Sequence, residues 1–133
     1  MANRNPAAAY KNQAVYTANG PQLLVMLCDR MAADMARAEL AIEMNDYEAA
    51  NSNLQHAQRI VRMLHSSLDP DGFKGGRELL AIYVFLERHL IKANLEKDPK
   101  LVRECTDVFR PIHEAWRIAV SAHEESDVSP YVD

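Results

Sequence analysis

Residues 46–72, DYEAANSNLQHAQRIVRMLHSSLDPDG, contain one complete helix together with its start and stop signals. Asp46 suits the cap position, because its carboxylate can accept a hydrogen bond from an N–H group of the first turn. The helix stops at Asp69-Pro70-Asp71-Gly72, since proline and glycine are the poorest helix formers. Between these signals, apolar side chains recur every three or four residues at Tyr47, Ala50, Leu54, Ala57, Val61, Leu64 and Leu68, with Ile60 widening the face. This spacing predicts an amphipathic helix that buries one face.

Three further segments of the chain have the same periodicity. The first begins at Pro21, with apolar positions at Leu24, Leu27, Met31, Met35, Ala38 and Ile42. The third has Leu79, Ile82, Leu86, His89 or Leu90, and Ala93. The fourth begins at Pro99, capped by Asp98, and has Leu101, Cys105, Val108, Ile112, Ala115 and Ala119, with Phe109 and Trp116 alongside. Long helices joined by short links pack as antiparallel neighbours. The sequence therefore predicts an all-α fold, an antiparallel up-down four-helix bundle.

The two ends of the chain lack this pattern. Residues 1–20 are predicted to form an N-terminal arm, in which Ala7–Val15 can form a short cap helix. Residues 21–122 are predicted to form the bundle, and residues 123–133 an acidic flexible tail. No internal repeat or second domain is evident.

Composition narrows the classes of function. The chain has 133 residues, of which 48% are hydrophobic and 26% charged, as in one globular domain. Its net charge of −4 is opposite to that of a typical nucleic-acid binder. There is no signal-peptide pattern and no apolar run of about 18 residues, so we expect a cytoplasmic protein without membrane insertion. Cys28 and Cys105 lie in helical patterns beside apolar residues, which predicts buried thiols.

The histidines do not form a metal-binding pattern. Di-metal helical bundles use Glu-x-x-His on two helices, because residues three apart share a face. The residues three positions before the five histidines are Asn53, Arg62, Leu86, Arg110 and Val120, and none is a carboxylate. We therefore expect no metal, no cofactor and no catalytic residue.

A histidine phosphotransfer bundle is a weaker alternative. His89-Leu-Ile-Lys-Ala93 loosely resembles the His-x-x-Lys-Gly of such domains. A phosphorylated histidine must be exposed, however, whereas His89 is predicted on or beside the apolar stripe. The loop Gly72–Gly76 also lacks the spacing of a phosphate-binding loop. An interaction module is the favoured class, and a homodimeric structural helical protein is another alternative.

Several short sequence blocks follow one another in a fixed order: Ala9-Tyr10, Val15–Ala18, Leu23–Asp29, Ala57-x-x-Ile60-Val61, Ser67-Leu68-Asp69, Gly75-Gly76, Ile82–Phe85, Leu90-x-x-Ala93-Asn94 and Glu114-Ala115-Trp116. This ordered set resembles the FliS-type flagellin export chaperones. The chain departs from the family at Cys28, where a tyrosine is usual, and at Asn19-Gly20, which replaces Ser-Pro. Gly75-Gly76 or Gly72-Phe73 can correspond to the family's Gly-Gly, which leaves the start of the third helix open.

The resemblance implies a function. Members of this family are cytoplasmic four-helix bundles that bind the disordered C-terminal region of newly made flagellin, prevent its premature polymerisation and deliver it to the flagellar export gate. The resemblance also implies that the N-terminal arm, with Tyr10 and Val15, lies across the bundle and is displaced by the client. The implied partners are the flagellin C-terminal segment and a component of the export gate.

A client helix binds through apolar anchors at helical spacing, so the chaperone needs apolar side chains outside its core. The candidates are Leu23, Val25, Ile60, Leu80, Tyr83, Phe85 and Ile91. We expect at least two of Ile60, Leu80, Tyr83 and Ile91 to be largely exposed. We expect Leu54, Val61, Leu86 and Ile112 to belong to the core.

Overall fold

The computed structural model describes the backbone of residues 20–128 and the side chains of residues 20–122. It contains α1 (Gly20–Glu43), α2 (Tyr47–Ser67), α3 (Gly76–Glu96) and α4 (Pro99–Val128). Each helix packs against two others, in the closed order α1, α2, α3, α4 and back to α1. Short links reverse the chain between successive helices, so the predicted antiparallel four-helix bundle is confirmed. The fourth helix continues to Val128, beyond the domain boundary predicted at residue 122.

Local signals explain where the helices begin and end. Asp46 Oδ1 accepts a hydrogen bond from the N–H of Ala49 at 3.2 Å, and Asp98 Oδ1 accepts one from the N–H of Lys100 at 2.9 Å. Both predicted caps are therefore confirmed. Gly75 precedes α3 with φ +88°, a left-handed conformation that favours glycine. At Gly76 an added Cβ would lie 2.3 Å from the carbonyl oxygen of Pro70, so only glycine fits at the start of α3.

The core lies on the axis of the bundle and receives side chains from all four helices. Its largest members with almost no exposure are Tyr83, Phe109, Leu24, Met31, Met35, Leu54, Leu64, Leu86, Leu90, Val61 and Val102. Cys28 and Cys105 are buried free thiols, as predicted. Burial raises the pKa of both thiols to about 12, so neither is a ready nucleophile near neutral pH.

The predicted apolar face of α4 is confirmed at Cys105, whereas Leu101, Val108 and Ile112 are only half-buried at the edge of the core. The buried residues of this helix are Val102, Cys105, Phe109 and Val120, whereas Ala115 is exposed. The chain has adjacent apolar pairs here, such as Leu101-Val102 and Val108-Phe109. Periodicity alone admits either register for such pairs, and the neighbouring helices select the one that buries the larger aromatic ring.

Each of the four helix–helix interfaces contains one pair of a histidine and a carboxylate. The pairs are His56–Asp34 between α2 and α1, His65–Glu87 at 3.0 Å between α2 and α3, His89–Glu104 at 2.7 Å between α3 and α4, and His113–Asp29 at 2.5 Å between α4 and α1. Asp34 is the most buried of these carboxylates, with 1% exposure. The four histidines therefore join neighbouring helices to each other.

Candidate functional site

The third helix is apolar on the side that points away from the bundle as well as on its core side. Tyr83, Leu86, Leu90 and Ala93 are buried in the core. The opposite side, here named the α3 outer face, consists of Ala81, Val84, Phe85, Arg88, Ile91, Lys92 and Leu95, with Leu80 at its edge, where it is half-buried and also packs against the core. Phe85, Ile91 and Leu95 are 42%, 38% and 82% exposed. Apolar side chains on both sides of a surface helix indicate that the outer side meets a partner.

The geometry of the α3 outer face suits an elongated ligand. From Leu80 to Leu95 the helix rises roughly 22 Å, at about 1.5 Å per residue. A shallow depression of about 350 Å³ on this face is lined by Ala81, Val84, Phe85, Arg88, His89 and Lys92. The Phe85 ring stacks on the His89 ring with 4.8 Å between centroids, and His89 bonds to Glu104 of α4. The aromatic side of the depression is thereby held in place before any ligand arrives.

The charge of the α3 outer face is positive. The side chains of Arg88 and Lys92 form no hydrogen bond or ion pair with any residue that the structure describes. Glu87 is the sole acidic residue between Leu80 and Leu95, and it faces α2. Its carboxylate accepts hydrogen bonds from Arg62 at 3.2 Å and from His65 at 3.0 Å.

The pKa of Glu87 fits this arrangement. Burial raises the pKa of its carboxyl, but the hydrogen bonds and charges of His65 and Arg62 together outweigh burial and lower it. Glu87 is therefore ionised at neutral pH and held by its two α2 partners, and the exposed Glu96, four residues after Lys92, forms no ion pair with that lysine in the structure.

The structure separates the predicted site residues into two groups. Leu80, Phe85 and Ile91 lie on the α3 outer face, and Leu23 and Val25 are half-buried on α1. Ile60 and Tyr83 are 5% and 0% exposed, and Leu80 is half-buried against the core. Ile91, at 38% exposure, is the most exposed of the four, so the expectation that at least two of Ile60, Leu80, Tyr83 and Ile91 are largely exposed is wrong.

Tyr83 can be buried because its hydroxyl group has a partner inside the bundle. The Tyr83 ring fills the core while its hydroxyl oxygen accepts a hydrogen bond from Trp116 Nε1 at 3.4 Å, which satisfies the phenol inside the bundle. Leu54, Val61 and Leu86 are buried as predicted, and Ile112 is half-buried against the core. Tyr10 and Val15 lie outside the described residues.

Sequence reasoning missed Leu95, Arg88 and Lys92. Leu95 is four residues after Ile91, so helical spacing alone could have placed both on one face. The two cations gave no signal, because their lack of partners depends on which helices pack beside α3.

Other exposed apolar side chains form shorter groups. Leu40, Met44 and Tyr47 are 58%, 70% and 49% exposed around the turn between α1 and α2. Met26 and Ile118 are 64% and 62% exposed on α1 and α4. Charged residues such as Arg30 and Arg37 lie between Met26 and Leu40 on α1, so apolar surface is interrupted there.

The described helices offer neither a metal site nor a membrane span. Among the residues that the structure describes, no three His, Cys, Asp or Glu side chains are grouped so that they could hold a metal ion. Of the four described helices, none combines the length and apolar character needed to cross a membrane. The His89 side chain is 16% exposed, which confirms its predicted position at the edge of the apolar stripe and disfavours phosphotransfer.

A four-helix bundle with an apolar and basic outer face on one helix has the architecture of a helical protein that binds a partner. The sequence profile of a family described as "Flagellar protein FliS" matches residues 2–123. The chain belongs to this family, as its ordered motifs predicted.

Curated relatives carry the same family name. The flagellar secretion chaperone FliS of Bacillus subtilis (strain 168) is 30% identical over 125 residues, covering 94% of this chain and 93% of that protein. The flagellar secretion chaperone FliS of Escherichia coli (strain K12) is 32% identical over 106 residues, covering 78% of each chain. That of Salmonella typhimurium (strain LT2) is 33% identical over 108 residues, also covering 78% of each. These relatives support a FliS-type export chaperone.

Proposed function

We propose that this chaperone binds the disordered C-terminal region of flagellin in the cytoplasm, prevents its premature polymerisation and delivers it to the flagellar export apparatus. The observation that carries the proposal is the α3 outer face, which exposes apolar side chains along most of one helix. An amphipathic client helix binds such a face through anchors spaced three or four residues apart. The spacing Phe85, Arg88, Ile91 or Lys92, and Leu95 matches that pattern.

The energetics require more than one client contact. Fully burying a large apolar side chain contributes ~1.5–3 kcal/mol. Covering what Phe85, Ile91 and Leu95 still expose therefore contributes on the order of 4 kcal/mol in total. Ordering a disordered segment on binding costs ~2–5 kcal/mol or more, which nearly cancels this gain. A single client helix on α3 is marginal, so the client must also contact other parts of the chaperone.

Further contacts are proposed at Leu23 on α1 and at Tyr10 and Val15 of the N-terminal arm. Leu23 is half-buried and can contribute without disrupting the core. Ile60 and Tyr83 are withdrawn from the proposed contacts, because side chains with 5% and 0% exposure have little surface left to offer a client.

The test is a titration of the full-length chaperone with the C-terminal segment of flagellin from the same organism. Phe85→Ala and Leu95→Ala should each weaken binding about tenfold, which is ~1.4 kcal/mol. Leu40→Ala is the matched control, because Leu40 is 58% exposed on another helix. We expect the control to bind as the wild type does.

The same samples test the alternative of a homodimeric structural protein. Light scattering should show that the flagellin segment adds its own mass to the chaperone. No binding of the segment, together with a dimer that dissociates in Phe85→Ala or Leu95→Ala, would mean that the outer face binds a second copy. That outcome would refute the proposed function.

A further inference from the structure

Arg88 differs from most other described arginines of the bundle, and Lys92 lies one helical turn from it on the α3 outer face. Six arginines have a carboxylate oxygen within 4.0 Å, namely Arg30, Arg62, Arg77, Arg103, Arg110 and Arg117. Arg88 and Lys92 have no such partner among the described residues, although both border the same depression as Phe85. They are four residues apart, so they lie one above the other on the helix, about 6 Å apart along its axis.

We propose that Arg88 and Lys92 recognise acidic side chains, so that the α3 outer face selects an amphipathic client helix with Asp or Glu beside its apolar anchors. This inference rests on the proposed function, since that helix belongs to the C-terminal region of flagellin. The two client carboxylates would be one helical turn apart, to match the spacing of the two cations. A client helix with Lys or Arg at those positions would be rejected by repulsion.

The carboxylates that lie near this surface strengthen the argument. Glu87 of α3 is turned towards α2 and held by Arg62 and His65. Glu104 of α4 is bonded to His89, which lines the depression. Glu87 and Glu104 are thus engaged with residues other than Arg88 and Lys92, and the exposed Glu96, one turn after Lys92, forms no ion pair with it in the structure. The whole chain has a net charge of −4, so the positive surface is a local feature. An acidic ligand would bind there despite the negative charge of the chain as a whole.

The cations lie beside apolar surface that a client helix would cover. Charged groups at the rim of an interface mainly set partner choice, association rate and salt dependence. The apolar anchors would then supply most of the affinity, while Arg88 and Lys92 would determine which amphipathic helix docks and in which register.

The test compares two double variants that change net charge equally. Arg88→Gln/Lys92→Gln removes the proposed recognition pair. Arg37→Gln/Arg59→Gln removes two exposed arginines that also have no ion pair among the described residues, on α1 and α2. Each is titrated with the flagellin C-terminal segment at two salt concentrations, after circular dichroism has shown that its unfolding midpoint matches the wild type.

The Arg88→Gln/Lys92→Gln variant should bind about tenfold more weakly at low salt, which is ~1.4 kcal/mol, and its affinity should depend less on salt. The control pair should bind as the wild type does. Equal losses in both double variants, or a change smaller than twofold in the first, would overturn the inference and leave the proposed function intact.

Synthetic peptides separate the two proposals. One amphipathic peptide carries leucine anchors at steps of three and four with glutamates beside them, and its partner has glutamine in place of glutamate. Tighter binding of the glutamate peptide, lost in Arg88→Gln/Lys92→Gln, supports charge selection even if the flagellin segment fails to bind and the proposed function falls. Equal binding of the two peptides overturns it, and so does binding only to phosphatidylglycerol vesicles.

Discussion

The His56–Asp34 pair between α1 and α2 leads to a prediction about stability. Replacing both side chains should lower the free energy of unfolding less than replacing His56 alone. Asp34 is 1% exposed, and its carboxylate accepts hydrogen bonds from His56 Nδ1 and from Arg30 Nε, the latter at 3.5 Å. The His56 and Arg30 side chains are 35% and 59% exposed. The mutation His56→Ala therefore leaves a buried carboxylate with a single long hydrogen bond to a side chain in solvent.

The expected magnitude follows from this geometry. Loss of a hydrogen bond to a charged group costs ~1.5–3 kcal/mol, and an uncompensated buried charge costs more. Because His56 and Arg30 are partly in solvent, water can reach the carboxylate once the imidazole is gone. We therefore expect His56→Ala to lower the free energy of unfolding by about 1.5 kcal/mol, which corresponds to roughly 5 °C in Tm for a domain of this size.

The double variant Asp34→Ala/His56→Ala should recover most of this loss. It removes the buried charge with its partner, and alanine favours the helix more than aspartate does. We expect it to be about 1 kcal/mol more stable than His56→Ala alone. Urea unfolding followed by circular dichroism measures the difference, with Arg59→Ala as an exposed control on the same helix that should stay within about 0.5 kcal/mol of the wild type. If His56→Ala matches that control, or if the double variant is the less stable one, the reasoning about the buried pair is incorrect.

Three further predictions concern the core, the pH dependence and the arm. Leu86→Ala should lower the free energy of unfolding by ~2–5 kcal/mol because Leu86 is fully buried. Ile91→Ala should change the free energy of unfolding by no more than about 1 kcal/mol and should instead weaken flagellin binding. If both variants lose stability and binding in proportion, the case for a dedicated client surface is removed. The pKa of Glu87 is lowered in the folded protein, so its carboxylate stabilises the fold above the ordinary value of 4.5 and loses this effect as the pH falls through the lowered pKa. Glu87→Gln should thus cost roughly 0.5 kcal/mol at pH 7, and urea titrations should show this difference shrinking in acid rather than growing. Deletion of residues 1–18 should leave the helical circular dichroism signal unchanged and should change the affinity for flagellin. The affinity should rise if the arm only competes with the client and fall if the arm also contacts the client. An unchanged affinity would remove the arm from the mechanism.

Helix positions could be predicted well because their signals are local. Asp46 and Asp98 cap α2 and α4 through hydrogen bonds that span two or three residues, and Pro70 lies just beyond the end of α2. The start of α3 could not be decided between Gly72 and Gly75. In the structure α3 begins at Gly76, where an added Cβ would lie 2.3 Å from the Pro70 carbonyl oxygen, a close approach that helical periodicity does not reveal.

The candidate surface could be predicted only in part. Phe85 and Ile91 were found because they fall outside the regular apolar stripe of α3. Ile60 and Tyr83 also fall outside the regular stripes of their helices, yet they are buried, because their side chains extend the core sideways. Helical periodicity gives the centre of an apolar stripe but not its width. Residues at the edges of the stripe can therefore be either buried or exposed.

The sequence by itself determined that this protein has four helices in alternating directions and two buried thiols, and that it belongs to a family of flagellar secretion chaperones. Capping, periodicity and ordered motifs act over a few residues or are carried in residue identity. The tertiary structure decided which face of α4 is buried and that one histidine–carboxylate pair joins each pair of neighbouring helices. It also decided that Arg62 has a carboxylate partner while Arg88 has none among the described residues. Those features depend on side chains from helices 15 to 84 residues away in the chain. Their positions are set by packing, which local sequence does not encode.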